Sequence, residues 1–260
     1  MICGIFRECM RVHLVAIKRR LTFGSTPNSV LMKIIEMYVL LGGRAFFGRH
    51  AVTLQTTLRG VASQEMSPRA TAYFFLAVET ILRAYPVDGA SLLLRCDVLQ
   101  MFIRACASSQ FGEVDSDPDR VIVLYLSALA RVFLSDDGNV FMDSLLPVQL
   151  ASGTFHREEL VDLYLAKFQI AGNGAHGLML QKLYMMFLLS IQPTPHILGK
   201  SDKLLEHCQY IIRNAKGGLL LPYSVELDEE DNIAVGEYDV LVAQHMQAVR
   251  LHLPFPSFQL

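Results

Sequence analysis

The sequence predicts an all-α protein, a HEAT-type α-solenoid in which antiparallel helical hairpins stack side by side. Three observations carry this expectation. Thr26-Pro27, Ser67-Pro68 and Asp117-Pro118 each open an apolar segment that is followed by a second one. A Ser, Thr or Asp side chain accepts a hydrogen bond from the free N–H groups of a first helical turn, and proline at the first helical position gives up an N–H that has no partner there. These starts stand 41 and 50 residues apart, with a weaker start at Thr154 after another 37, close to the roughly 40 to 47 residues of HEAT-type repeats. The composition, 52% hydrophobic and 18% charged, is far from that of a disordered chain.

Residues 1–25 read as a basic leading helix or the remnant of a preceding repeat. Within residues 1–21, Arg7, Arg11, Lys18, Arg19 and Arg20 are spread among apolar residues with Glu8 as the single acid, a composition similar to a mitochondrial presequence but without its serines. Residues 26–216 read as the repeats. The first hairpin pairs a helix from Asn28 to Leu41, with Val30, Ile34, Met37, Tyr38 and Leu41 on its inner face, with one from Ala45 to Ala62. Gly42-Gly43 is expected to stop the first of these and turn the chain back. The second helix carries Phe46, Phe47, Leu54, Leu58 and Val61 inward, with Thr53, Thr56 and Thr57 exposed.

The second hairpin pairs Pro68 to Tyr85, apolar almost all round and so covered on several sides, with Ala90 to Ala107 after an Asp88-Gly89 turn. An acidic linker runs from Ser108 to Asp117. The third pairs Pro118 to Leu134 with Val140 to Leu150, shortened by Pro147, across the turn Ser135-Asp136-Asp137-Gly138-Asn139. The fourth pairs Arg157 to Ala171 with Ala175 to Ile191 and sets Leu160, Leu163, Tyr164 and Phe168 against Leu180, Leu183, Tyr184 and Phe187. A shorter helix from Asp202 to Asn214 completes the array. Residues 217–260 read as an acidic loop, Glu226 to Asp231, followed by a terminal amphipathic helix from Tyr238 to Leu253.

Charged residues interrupt every long apolar run, as Glu79 and Arg83, Arg131 and Lys182 do, so no transmembrane segment is expected. The net charge of −2 conceals a gradient, +7 over residues 1–60, −4 over 61–200 and −5 over 201–260. The basic beginning suits acidic partners or acidic lipid, and the acidic end suits basic ligands. A membrane-peripheral role for residues 7–20 is the expectation this gradient leaves beside the scaffold. Five cysteines form an odd set without a CxxC pair, which fits a reducing compartment. Cys96 and Cys106 share a stripe with Leu99, Phe102 and Ile103, where a thiol packs as a small hydrophobe.

The chemistry of an enzyme is not legible. Gly172-Asn173-Gly174-Ala175-His176-Gly177 matches G-x-G-x-x-G, yet a helix precedes it instead of a strand and no carboxylate stands near Ile197, so an inter-helix turn is expected. The eight histidines are scattered, without the clustering a zinc site needs. His156 beside Glu158 and Glu159 is read as a helix start, where the dipole favours acids. Basic, aromatic-interleaved strands that would stack nucleic-acid bases are absent. No catalytic, cofactor-binding or metal-binding residue is assigned, and no nucleic-acid partner.

Residues Val121 to Leu146, VIVLYLSALARVFLSDDGNVFMDSLL, resemble late HEAT repeats of the importin-beta (karyopherin) superfamily, most nearly the importin-eleven type. Ala130 to Leu134 approximate that family's Gly/Ala-Arg-Val-Phe/Leu-Leu run, and Phe141 to Leu146 its Phe-x-x-x-Leu-Leu; Leu160 to Phe168 look like the next repeat's first helix. The likeness spans Val30 to Ala215, and an acidic insertion before a last helix is similar to the family's C-terminal layout. The resemblance implies a non-enzymatic, cargo-binding C-terminal part of a nuclear transport receptor, found in nucleus and cytoplasm and at the pore. Family members are several times longer, so the chain is expected to be a C-terminal segment or a truncated paralogue. Cargo would be folded or basic protein. Ran GTPase and nucleoporins would be engaged through amino-terminal repeats outside this chain. The candidate cargo contacts are Asp228, Glu229, Glu230 and Asp231. A HEAT scaffold of a trafficking coat, or of a chromosome or proteasome regulator, is the alternative.

Overall fold

The computed structural model describes residues 26–63, 68–114, 116–135, 140–173 and 177–215. The leading residues 1–25 and the acidic and terminal segment 217–260 lie outside them, as do Asp228, Glu229, Glu230 and Asp231. The elements are α1 (Thr26–Ala62), α2 (Pro68–Ala84), α3 (Pro86–Arg95), α4 (Val98–Phe111), α5 (Asp119–Leu134), α6 (Val140–Leu145), β1 (Val148–Leu150), β2 (Gly153–Phe155), α7 (Arg157–Ala171), α8 (Gly177–Ser190), α9 (Pro195–Leu198) and α10 (Ser201–Ala215).

The helices stack in two rows. In one row α5 lies between α2 and α8 and packs on both; in the other, α4 packs on α1 and α7. The pairs α1/α2, α4/α5 and α7/α8 join the rows, and α10 continues the stack against α8. One unbroken apolar cluster runs through the pairs from Met32 to Ile211. Helix α5 is the centre of this arrangement, and its sequence shows why: Val121, Ile122, Tyr125, Leu126 and Leu129 are buried on one side, and Val123, Ser127, Ala128 and Ala130 are buried around the rest of it. A helix apolar all round has no solvent face to offer.

The expected first hairpin is instead one helix of 37 residues. It passes through Gly42-Gly43, where a turn was predicted. Each glycine costs about 1 kcal/mol relative to alanine in a helix, which packing along the whole length of α2 offsets. Continuity also corrects the inner face. Met32, Glu36 and Val39, and again Phe47, His50, Leu54, Leu58 and Val61, are buried at steps of three and four, whereas Ile34 and Tyr38 are half-buried and Met37 is exposed. Leu54, Leu58 and Val61 fix the phase in the second half, and an unbroken helix carries that phase back to Met32. Thr57, expected outside, is buried with its hydroxyl donating to the Thr53 carbonyl at 2.9 Å.

The second expected hairpin is broken differently. Asp88-Gly89 lies inside α3, and the chain turns at Cys96-Asp97, where Asp97 takes a left-handed backbone with φ 62°. Asp is one of the few residues that tolerates that region. The break is held from α1: Gln55 Nε2 donates to the Arg95 carbonyl at 3.0 Å, and Arg59 Nη2 lies 3.0 Å from the Asp97 carboxylate. A glycine is required at position 89, because a Cβ there would come within 2.9 Å of the Ile81 side chain and 3.1 Å of its carbonyl. The predicted linker from Ser108 begins later, since α4 runs on to Phe111 and ends on Gly112 in the left-handed region, φ 65°.

The helix expected from Val140 to Leu150 stops at Leu145, before a cis Leu146–Pro147 peptide. Proline disfavours helical angles in the residue before it. In place of the last turns, β1 and β2 form a small antiparallel hairpin with Val148 opposite Phe155. Thr154 is therefore a strand residue and not a helix start. The start is His156, whose backbone N–H donates to the Glu159 carboxylate at 2.8 Å, the reciprocal half of a capping arrangement. From there the expected and observed helices agree closely through α10.

Candidate interaction surface

An array of helix pairs binds through its surfaces, so the polar groups must first be divided between those that hold the pairs together and those left facing out. Three tyrosines hold pairs together. Tyr85 donates to the Val39 carbonyl at 3.2 Å, Tyr164 to that of Leu126 at 2.6 Å and Tyr184 to that of Val123 at 2.8 Å. Tyr164 and Tyr184 meet edge to face at 4.8 Å and both reach α5. Burial pushes the Tyr164 phenol well above its usual range, with Tyr184 adding to the effect. The Tyr164 phenol is a neutral donor.

Between α2 and α5, Glu79 and Arg131 form a largely buried ion pair at 2.6 Å. Its geometry is off-line for a hydrogen bond, and the second carboxylate oxygen of Glu79 has no hydrogen-bond partner. Beside it Thr80 donates to the buried Glu36 carboxylate at 3.2 Å. At the surface, Asp162 of α7 lies 3.1 Å from His196 and 2.9 Å from Lys200. Burial works against the Asp162 carboxylate, but hydrogen bonds from Lys200 and His196 outweigh it and hold its pKa below the usual range. Each of these clusters ties one element to another.

Two of the cysteines lie deep in the core. Burial pushes the Cys96 thiol up to about 11 and the Cys106 thiol further, so neither is a nucleophile at neutral pH. Among the described residues no group of three or more His, Cys, Asp or Glu could hold a metal ion, and no helix is long and apolar enough to cross a membrane. In the glycine pattern, Gly172 follows directly on helix α7 and Gly177 opens α8, while residues 174–176 lie outside the described residues. A Cβ on Gly172 would meet the Gln181 amide at 2.3 Å, and one on Gly177 the Gly172 carbonyl at 2.0 Å.

What faces out is an apolar edge at the C-terminal end of the described stack. On α10, Leu204, His207 and Ile211 are buried, Cys208 is half-buried, and Leu205 and Ile212 next to them on the helix wheel are 59% and 60% exposed. The buried side is built partly by His207, which stacks on Phe168 of α7 at 3.9 Å and 10°. On α8, Met186 and Leu189 are 55% and 64% exposed, while Leu183, Tyr184 and Phe187 turn inward. The apolar arc of α10 is wider than the arc its neighbours cover. The doublets Leu204-Leu205 and Ile211-Ile212 are the sequence signal for that width, which the reading of Asp202 to Asn214 as one shorter helix passed over.

Comparison with known families matches the chain over residues 20–245 to the model described as "Importin-11-like, TPR repeats". No curated protein and no solved structure matches. The repeat type in that description is also a helix–turn–helix unit, of about 34 residues, shorter than the spacing of starts read here. The family model covers all the described helices and continues beyond them. The chain belongs to the importin-11-like family of helical repeat proteins.

Proposed function

We propose that this chain is the cargo-binding part of a nuclear transport receptor, working without catalytic residues in the nucleus and cytoplasm. The match to importin-11-like repeats over residues 20–245 carries the reading. The physical support is a stack of helix pairs with one continuous core, a form that presents an extended surface to protein partners. Asp228, Glu229, Glu230 and Asp231 are the contacts we assign to basic cargo, since four clustered carboxylates attract Lys/Arg-rich segments across about 8 Å at physiological ionic strength. Ran and nucleoporin binding is assigned to amino-terminal repeats of the receptor type and not to the described pairs.

The test is capture of Lys/Arg-rich protein segments by the chain at two salt concentrations. Salt-sensitive binding that is lost when Asp228, Glu229, Glu230 and Asp231 are all changed to Ser supports the reading. Undiminished binding by the changed chain removes the acidic run from it. Absence of binding to basic segments at low salt counts against the cargo role.

A further inference from the structure

The second half of α1, with α3 and α4 beside it, presents more positive charge than its own carboxylates balance. We infer that Arg44, Arg59, Arg95 and Arg104 form a ridge that binds an acidic segment of a partner protein through spaced carboxylates. The inference rests neither on the transport reading nor on Asp228, Glu229, Glu230 and Asp231.

Three observations lead to it. Arg44, Gly48, Val52, Gln55 and Arg59 recur at steps of four and three, one stripe of α1, and all but the half-buried Gln55 are exposed. A Cβ on Gly48 would meet nothing within 4 Å, so the middle of the stripe is open. Two ion pairs then fasten the neighbouring helices alongside. Arg44 lies 3.9 Å from Asp88 of α3, and Arg59 lies 3.0 Å from Asp97 just before α4 and donates to the Arg95 carbonyl. In these pairs the Arg44 and Arg59 side chains remain 86% and 52% exposed. Residue 95 is thereby set next to Arg59, and Arg104 stands two turns, about 10 Å, beyond Asp97 on the same side of α4. Arg95 and Arg104 are exposed and their side chains form no ion pair among the described residues.

The chemistry of the ridge chooses its partner. These four guanidinium groups face only the carboxylates of Asp88 and Asp97, so the ridge is net positive along the roughly 22 Å of helix from Arg44 to Arg59 and beyond. A guanidinium takes a carboxylate in a bidentate pair, and one already paired on a single edge keeps donors for a second acceptor. Asp88 and Asp97 interrupt the positive charge, and like charges brought together across an interface are penalised. A nucleic-acid strand or an anionic lipid surface, with charge at every step, cannot avoid them. A polypeptide can, by setting acids opposite the arginines and neutral residues opposite the aspartates. Val52 on the stripe and Val87 beside Asp88, 77% and 59% exposed, offer apolar contact among the charges, where stacked bases would need aromatic rings.

Fluorescence anisotropy tests the inference, with the full chain and a synthetic peptide of about 16 residues, long enough as a helix to follow α1 from Arg44 to Arg59. The peptide carries glutamates spaced by alanine and leucine. Its binding is expected to weaken with added salt and to be lost when glutamine replaces the glutamates. Arg44→Glu with Arg95→Glu and Arg104→Glu should weaken it at least about tenfold, with the helical circular dichroism unchanged. Asp88→Asn with Asp97→Asn works in the opposite direction, since asparagine also accepts the left-handed backbone at position 97. That chain should bind the peptide about threefold more tightly, a gain that damaged folding would not produce. The inference is overturned if the unaltered chain does not bind the peptide, if the charge-reversed chain binds it equally well, or if the asparagine chain binds it no better. Tighter binding of an oligothymidylate or of phosphatidylserine vesicles, lost in the charge-reversed chain, would assign the ridge to nucleic acid or membrane and overturn it too. So would peptide binding that emerges only when Glu226, Asp228, Glu229, Glu230 and Asp231 are changed to Ser, which would make the chain's own acidic run the occupant.

Discussion

At the scale of single residues, the stack is held by phenols that donate sideways into a neighbouring helix. The carbonyls they reach belong to helices already satisfied along their own axes, so removing the hydroxyl takes away a second bond and leaves no bare acceptor. Tyr184→Phe is therefore expected to cost about 1 kcal/mol, and Tyr164→Ala, which also empties a fully buried site, about 3 to 5 kcal/mol. Urea titration followed by circular dichroism measures both. His207 gives a pH dependence of definite sign. Burial first, and Lys203 second, push its pKa down, against Glu206 and a hydrogen bond to the Leu165 carbonyl. Below the ordinary value of about 6.5 the unfolded chain binds a proton that the docked imidazole refuses. The docking of α10 is thus at full strength above about pH 6.5 and weakens as the pH falls below it. His207→Phe, which keeps the stacking on Phe168, should flatten that dependence in the exchange of α10 amides.

At the scale of elements, the ion pair between Glu79 and Arg131 couples α2 to α5 at the middle of the array. Breaking it from one side leaves a charge in a largely buried place, so Arg131→Met alone should destabilise by about 3 kcal/mol. Glu79→Leu with Arg131→Met together should restore most of that loss. A double-mutant cycle in urea measures the difference. The turn between α7 and α8 makes a sharper case. Gly177→Ala would drive a methyl into the Gly172 carbonyl and is expected to cost more than the about 1 kcal/mol that helix propensity alone would alter. The sequence already placed a turn there, because glycines between two apolar periodic segments admit few other readings. It misplaced the turn at Gly42-Gly43 for a physical reason. Glycine permits a turn but does not compel one, and whether a helix continues is decided by the partner lying along it. The break at Asp97 was hidden for the converse reason: its determinants, Gln55 and Arg59, are on another helix.

At the scale of the molecule, the all-α stack and the importin-11-like family were both legible, since amphipathic period, Pro-led starts and the run from Val121 to Leu146 all lie within short stretches. The apolar edge was not, because whether Leu205 and Ile212 are covered depends on what stands next to α10. In a stack of this kind each pair contacts only its neighbours, so a local loss of stability spreads by adjacency. Helices α2 and α8 lie on opposite sides of α5. Phe187, fully buried in α8, is the place to disturb. Native-state hydrogen exchange of Phe187→Ala, compared helix by helix with the unaltered chain, is the most direct measurement. Stacked pairs predict exchange faster by about a hundredfold in α8 and in α7 and α10 beside it, a smaller change in α5, and α1 and α2 close to unchanged. An equal acceleration in every helix from α1 to α10 would contradict the stack.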